Sequence, residues 1–486
     1  MRKAGMWLGL ALVGLAAPAA LAVGYASGVT DLGGGMYSFV LNEDAVSVVI
    51  ERTGDTPLDL GPLTRGVYTF SIGAGTGFAI KVRTTTPAGW AQYLPDAPAR
   101  NFYVPTGVSV NKNPASPNFG KIYISNASAG TTGAGRATLD GIYVLLADGS
   151  DAGFATGGVD WVAAGTSSPF KSVIGPDDHL YVADFSRDLA WEFNDDLSVA
   201  TQLIDGTNKT ASQWVESLYV SGTQAAGNRK LYLVDSNYYS GAPGRKGLIE
   251  YTLGAQATAT SGDLGVQYIG PSYFGFYPRD VARDADGNWY MNQYRADPTQ
   301  ASAITKFLDG PPPINTAAWE TPKAEPYSYA YGIDASDTDG VVAYGKWTDG
   351  FVHIFALADG SYLGGFDAGS RARELAFDIA GNIVTVDNLT EYARFWTPGG
   401  DWLCITRSDG TFTKTVPGPA LCAGDMDCSG VVDFDDIDLF VEALSYPGGA
   451  GWPHPCPWLN GDCNGDSLVN FDDIDPFVAR IGAVCD

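Results

Sequence analysis

The sequence predicts a mainly β protein: a six-bladed β-propeller, preceded by a small β-sandwich-like module and followed by a small α-helical domain with two calcium loops. Three observations lead there. A strand-like pentad recurs six times between residues 101 and 415, no helical periodicity interrupts that region, and an acidic, cysteine-rich tail holds one unit twice. The chain of 486 residues is far longer than one core commonly organises, so several domains are expected. Its 45% apolar content supplies large cores, and 61 Gly with 28 Pro place frequent turns, which excludes wholesale disorder. With 29 Lys and Arg against 55 Asp and Glu, the net charge of −26 repels nucleic acid and anionic lipid and favours multivalent cations.

Residues 1–22 read as a signal peptide. Met1-Arg2-Lys3 precedes an apolar run to about Ala20, and Ala20-Leu21-Ala22 offers a small-x-small cleavage site after Ala22. The alternative is an uncleaved anchor; no later segment is apolar enough to span a bilayer. The expected location is secreted or cell surface, which makes disulfides the default for the six cysteines and leaves their pairing open.

Residues 23–100 form the β-rich module. Tyr37, Phe39 and Leu41, then Val46, Val48 and Ile50, then Val67 to Phe70 alternate between Gly, Asp and Pro clusters. Phe39-Val40-Leu41-Asn42-Glu43 and Arg65-Gly66-Val67-Tyr68-Thr69 resemble the immunoglobulin-like module of flagellar hook-capping proteins.

Residues 101–415 form the propeller. The pentads end at Asn126, Asp184, Asp235, Gln293, Gly345 and Asp387, separated by 58, 51, 58, 52 and 42 positions. Another apolar strand precedes them, as in Phe170-Lys171-Ser172-Val173 and Arg373-Glu374-Leu375-Ala376, and nine Asp-Gly pairs between Asp140 and Gly410 supply tight reversals. The pentads resemble the second strands of six-bladed propellers of the NHL-repeat and gluconolactonase-like kind. Two sandwiches are the competing arrangement.

Residues 416–486 hold the tail, in which residues 421–486 carry 13 carboxylates and one base, Arg480. Two copies lie 37 residues apart, with oxygen side chains at loop positions 1, 3, 5, 9 and 12. These are Asp425, Asp427, Ser429, Asp433 and Asp436, then Asp462, Asn464, Asp466, Asn470 and Asp473. Val431 and Leu468 offer the position-7 carbonyl. Ca²⁺ takes six to eight oxygens and this spacing wraps the chain around it, so two calcium ions are expected. A helix follows each loop, with Ile437, Phe440, Val441 and Leu444 on one face and Ile474, Phe477, Val478 and Ile481 on the other. Duplicated loops with Asp at position 12 and no entering helix look like a type I dockerin. That resemblance implies a cohesin-like or cell-surface partner, although Ser429 and Ser467 depart from the usual residues. Positions 10 and 11 read Phe434-Asp435 and Phe471-Asp472, where cellulosomal members often carry small hydroxyl residues. Calcium-stabilised folding units without a partner are the alternative.

His179, His353 and His454 lack a second histidine at ligand spacing, and no nucleophile elbow, Walker loop or dinucleotide fingerprint stands in a suitable context. The starts of the inner strands supply the candidates around the channel. Glu216, Asp280 and Glu374 are the possible catalytic carboxylates, and Lys171, Arg279 and Arg373 the ligand-binding cations. A lactonase would use oxygens around a divalent cation, and a glycosidase two carboxylates flanking the bond. The expected role is a secreted, calcium-binding, noncatalytic propeller that recognises polysaccharide or protein and is tethered through its tail. A carbohydrate-active hydrolase or lyase is the rival, and a structural envelope protein the third reading.

Overall fold

The computed structural model describes residues 23–86, 89–209, 213–236, 246–270, 273–274, 277–294, 301–314, 316–416, 423–449, 451–454, 456–464 and 468–483. The signal-like segment 1–22 lies outside them. The chain divides into two compact units, Met1–Lys414 and Thr415–Asp486.

The first unit contains six four-stranded antiparallel sheets. Their innermost strands are Pro105–Val110, Ser172–Ile174, Val215–Ser221, Tyr277–Arg283, Ala330–Ser336 and Glu374–Phe377. Each touches the next and the last touches the first, so the sheets close into a six-bladed β-propeller. The six pentads are the second strands. Leu180–Asp184 and Ile383–Asp387, for example, are buried along their whole length because each blade packs against a neighbour on both faces.

Six apolar clusters fill the gaps between blades. Trp289, Met291 and Val281 of blade 4 meet Tyr232, Val234 and Leu248 of blade 3, while Tyr123 and Ile142 of blade 1 meet Leu180 and Phe193 of blade 2. Each fully buried large side chain contributes roughly 1.5–3 kcal/mol, so these contacts are the main adhesive between sheets that share no ladder hydrogen bonds.

Closure comes from outside the six-fold repeat. The outer strand of blade 6 is Ala91–Gln92, which pairs with Thr397 and Trp396. Just before it, Phe78–Thr86 pairs with Gly400–Arg407, the stretch that leaves the propeller. The second pairing belongs to a five-stranded sheet completed by Ala45–Arg52, Leu58–Leu63 and Phe412–Thr415. A three-stranded sheet of Ala26–Gly33, Met36–Leu41 and Gly66–Ser71 shares one core with it, built from Phe39, Leu41, Phe70, Val48, Ile80 and Val82.

The expected boundaries therefore shift at two places. Residues 91–92, placed in the 23–100 module, belong to the last blade, and residues 400–415, placed in the propeller, complete the module. Strand pairing between distant segments decides both, and neither segment carries a local sign of its partner. Cys404 also departs from the expected disulfide set, because Gly400–Arg407 buries it as a thiol among Val23, Tyr25, Phe119 and Ala380.

Tyr93 follows the closing strand, donates its N–H to Phe395 O at 3.0 Å and stands in the core between blades 6 and 1. Tyr93→Ala is expected to destabilise the propeller by about 3 kcal/mol, measured by denaturant unfolding. An unchanged midpoint would show that closure does not pass through this segment.

Candidate functional site

The inner strands carry bulges where the candidate residues stand. Register slips between Pro105 and Gly107, Val215 and Ser217, Pro278 and Asp280, and Ala330 and Gly332 insert one extra residue: Thr106, Glu216, Arg279 or Tyr331. A bulge breaks the alternation of a strand, so two consecutive side chains can serve the same face. This is how Arg279 and Asp280, adjacent in sequence, both reach the centre of the ring.

Across the axis, Lys171 Nζ lies 2.8 Å from Asp280 Oδ2 and 2.7 Å from Glu374 Oε2, and donates to Tyr331 O at 2.6 Å. Asp280 also accepts from Ser217 Oγ at 2.5 Å and from the N–H groups of Val281 and Ile333, each at 2.9 Å. The three charges come from blades 2, 4 and 6. The matching places in blades 1, 3 and 5 are Gly107, Ser217 and Gly332. Two of these must be glycine: a Cβ on Gly107 would stand 2.4 Å from Phe170 O, and one on Gly332 2.4 Å from Glu374 Oε1. Small residues on alternate blades make room for long charged ones on the others.

Lys171, Asp280 and Glu374 are 1%, 4% and 4% exposed. Burial, and after it the charge of Asp280, push the Glu374 carboxyl well above the usual carboxylate range against the pull of Lys171. Burial opposes the charge on Lys171, but Asp280 and Glu374 outweigh it and raise the ammonium. The triad thus sets one buried ammonium between two buried carboxyl groups, with the Glu374 carboxyl and the Lys171 ammonium both raised.

Asp280 and Glu374 line a channel cavity of about 510 Å³ whose other lining residues, including Ser109, Ser172, Tyr219, Arg283 and Asp334, lie at or beyond these positions along the inner strands. Lys112 and Asp334 pair there at 2.7 Å. Arg279, Arg373 and Glu216 stand one residue earlier on their strands and do not line this cavity. The Arg279 Nη1 pairs with Glu216 Oε1, which also accepts from Ser236 Oγ at 2.9 Å. Its guanidinium lies 5.1 Å from the ring centroids of Tyr294 and Tyr331. Arg373 lies against Phe170, Tyr331 and Trp347.

All six sequence-selected residues therefore meet at the channel. Sequence reasoning missed Ser217, which donates to Asp280, and the aromatic wall of Phe170, Tyr331, Trp347 and Tyr294. Tyr331 occupies the same bulge place as Arg279, so alignment of the inner strands could have found it. Trp347 follows a second strand and carries no such sign.

The C-terminal unit places its acidic groups in the two repeats. Asp425, Asp427 and Asp436 offer carboxylate oxygens within 4.8 Å of one another. Asp436 Oδ1 accepts from Met426 N and Asp427 N at 2.6 and 3.0 Å, and its Oδ2 from Asp433 N at 2.8 Å. Asp473 repeats this with Cys463 N, Asn464 N and Asn470 N at 2.9, 3.1 and 2.9 Å. Ser429 Oγ donates to Val431 O at 3.1 Å, which brings positions 5 and 7 together. Three converging carboxylates with a hydroxyl and a carbonyl form a hard-oxygen donor set that fits Ca²⁺. Asp462 follows the turn Trp458–Gly461, Leu468 is exposed, and Asp466 lies outside the described residues.

The two helices are Asp436–Ala443 and Ile474–Arg480, and Phe440 and Phe477 stack at 4.4 Å. The core adds Met426, Val432, Ala443, Trp458, Cys463 and Val469. Val441 and Val478, expected to pack between the helices, are each 58% exposed, because helices this short cover only a narrow stripe. Cys428 and Cys456 form a disulfide, Cys463 is a buried thiol, and Cys422 and Cys485 lie outside the described residues.

No family model and no curated protein matches the chain. Among solved structures, streptogramin B lyase matches at 9% identity with a TM-score of 0.40, covering 63% of this chain and 97% of that one. The PQQ-bound aldose sugar dehydrogenase of Streptomyces coelicolor matches at 14% and 0.42, covering 66% and 99%. The calcium-binding protein regucalcin of Agrobacterium tumefaciens matches at 12% and 0.41, covering 62% and 92%.

Lys171→Met is expected to destabilise the propeller by about 3–5 kcal/mol, because Asp280 is left buried without its cation. Glu374→Gln removes a carboxyl whose proton burial holds more tightly than usual. From about pH 4.5 upward the folded protein binds this proton and the unfolded chain does not, so wild-type stability falls relative to Glu374→Gln by at most about 1.4 kcal/mol per pH unit. Chemical denaturation of both proteins between pH 5 and 8 measures it; parallel curves would refute the raised Glu374 carboxyl.

Proposed function

We propose that this chain is a secreted binding protein. Its propeller holds a polysaccharide or protein ligand at the channel, and its C-terminal unit is a dockerin-like, calcium-loaded tether. The observation that carries the binding reading is the commitment of the candidate carboxylates to internal partners. Asp280 and Glu374 hold Lys171, and Glu216 holds Arg279 and Ser236. A glycosidase needs an acid and a base free to face the bond, and these three are buried and engaged. Beside them the partly exposed Tyr294 and Trp347, backed by the buried Phe170 and Tyr331, offer apolar edges and a few placed charges to a ligand.

Support for the tether comes from the duplicated loops and from the residues exposed beside them. Phe434 and Phe471, at position 10 of each copy, are 76% and 77% exposed. Large aromatic side chains left in water at matching places of both repeats supply anchors for a partner protein or surface component. Two calcium ions, one for each loop, would neutralise much of the acid in this unit.

Binding is tested by presenting the purified chain with neutral and acidic polysaccharides and with lactone and glycoside substrates. Retention on at least one glycan without turnover is expected; turnover abolished by Glu216→Gln or Asp280→Asn would replace this reading with the hydrolytic one. For the tether, a unit this small buries too little apolar surface to offset chain entropy and its own charge repulsion, so its fold should require cations. Calorimetry with EGTA and then with Ca²⁺ should move one transition and leave the propeller's in place. Asp425→Ala combined with Asp462→Ala should abolish the shift, and transitions indifferent to calcium would remove the basis for the tether.

A further inference from the structure

Three cations gather around one ring. Lys171 Nζ, Arg279 Cζ and Arg373 Cζ lie 5.3, 5.1 and 5.9 Å from the Tyr331 centroid. Arg279 is matched by Glu216, and Lys171 by Asp280. Glu374 Oε2 also lies 2.7 Å from Lys171 Nζ. Arg373 has no such match. It is 9% exposed, makes no ion pair among the described residues, and its Nε has no hydrogen-bond partner.

Around that guanidinium stand Phe170 at 5.2 Å, Trp347 at 5.8 Å and Tyr331. Ring faces offset only part of the cost of taking a full charge out of water. Arg371 places a second guanidinium 4.7 Å from the same indole, so the spot is positive in a chain whose net charge is −26. Packing gives no reason to keep a charged residue here, since methionine would fill the same apolar surroundings.

We infer that Arg373, beside the stacked rings of Tyr331 and Trp347, recognises the carboxylate of an acidic sugar. The planar guanidinium offers two parallel N–H groups to a carboxylate, a match that an ammonium lacks. Tyr331 and Trp347 stack at 4.8 Å with 25° between their planes, and the part of the half-buried indole left exposed gives a sugar ring an apolar contact beside the guanidinium. The inference rests on the reading of the propeller as a binding module and names the class of ligand.

The full chain is titrated calorimetrically with a short oligogalacturonate, a neutral oligosaccharide of equal length, and acetate. The oligouronate should bind most tightly. Arg373→Gln should weaken it about 10- to 100-fold and leave the neutral sugar unchanged, and Arg373→Lys should restore only part. Arg373→Met should lose binding yet melt no lower than wild type in the absence of ligand, because it removes an unmatched buried charge. Equal affinity for acidic and neutral sugars, acetate as tight as the oligouronate, undiminished binding by Arg373→Gln, or unfolding of the propeller by Arg373→Met would each overturn the inference. A neutral glycan that binds alone overturns the inference and leaves the wider binding role standing, whereas no glycan binding at all overturns the inference and confines the binding role to a protein ligand.

Discussion

Antiparallel pairing between the chain entering the propeller and the chain leaving it holds the first unit together. Ala91–Gln92 against Thr397 and Trp396 supplies only two residues of ladder, and Phe78–Thr86 against Gly400–Arg407 continues it into the neighbouring sheet. Joining positions with roughly 300 residues between them costs about 5 kcal/mol in loop entropy beyond a constant. A two-residue strand does not meet that cost. The long second pairing and the core of Phe39, Val48, Ile80 and Val82 behind it do, so the module extends the clasp of the ring.

Within the ring, the same economy of space decides the chemistry. Bulges on four inner strands turn consecutive residues toward the axis, and Gly107, Ser217 and Gly332 leave volume into which Lys171, Asp280 and Glu374 extend. The triad closes the channel and satisfies its charges internally. The two ends of the channel then differ. One is a cavity rimmed by ion pairs such as Lys112 with Asp334; the other is aromatic and carries Arg279 and Arg373.

Much of this was legible in the sequence because it repeats. Buried second strands demand apolar pentads, and these locate the blades. The charged starts of the inner strands precede them, which selected Lys171, Glu216, Arg279, Asp280, Arg373 and Glu374 as a set. What was not legible lacks either repetition or locality. Ala91–Gln92 is too short to show a period, and Gly400–Arg407 alternates like any strand without naming Phe78–Thr86 as its partner. Cys404 reads like the tail's cysteines in sequence, and only its strand's place in the module makes it a core residue. Val441 and Val478 obeyed helical spacing, but Phe440 and Phe477 already filled the narrow interface.

The clasp also sets an order of events. Residues 78–83 can pair at once with residues 47–52, but the other edge of their strand meets residues 400–407 only once these exist, so the first-made module must wait, one sheet unfinished, while six blades are synthesised and stack beside it. During that interval Phe78–Thr86 has an open edge, and its alternating Phe78, Ile80 and Val82 face a core still lacking a strand. The last hundred residues of a long chain thus decide whether the first hundred become a finished domain or an adhesive one, and any chaperone serving this protein has its task defined by that delay.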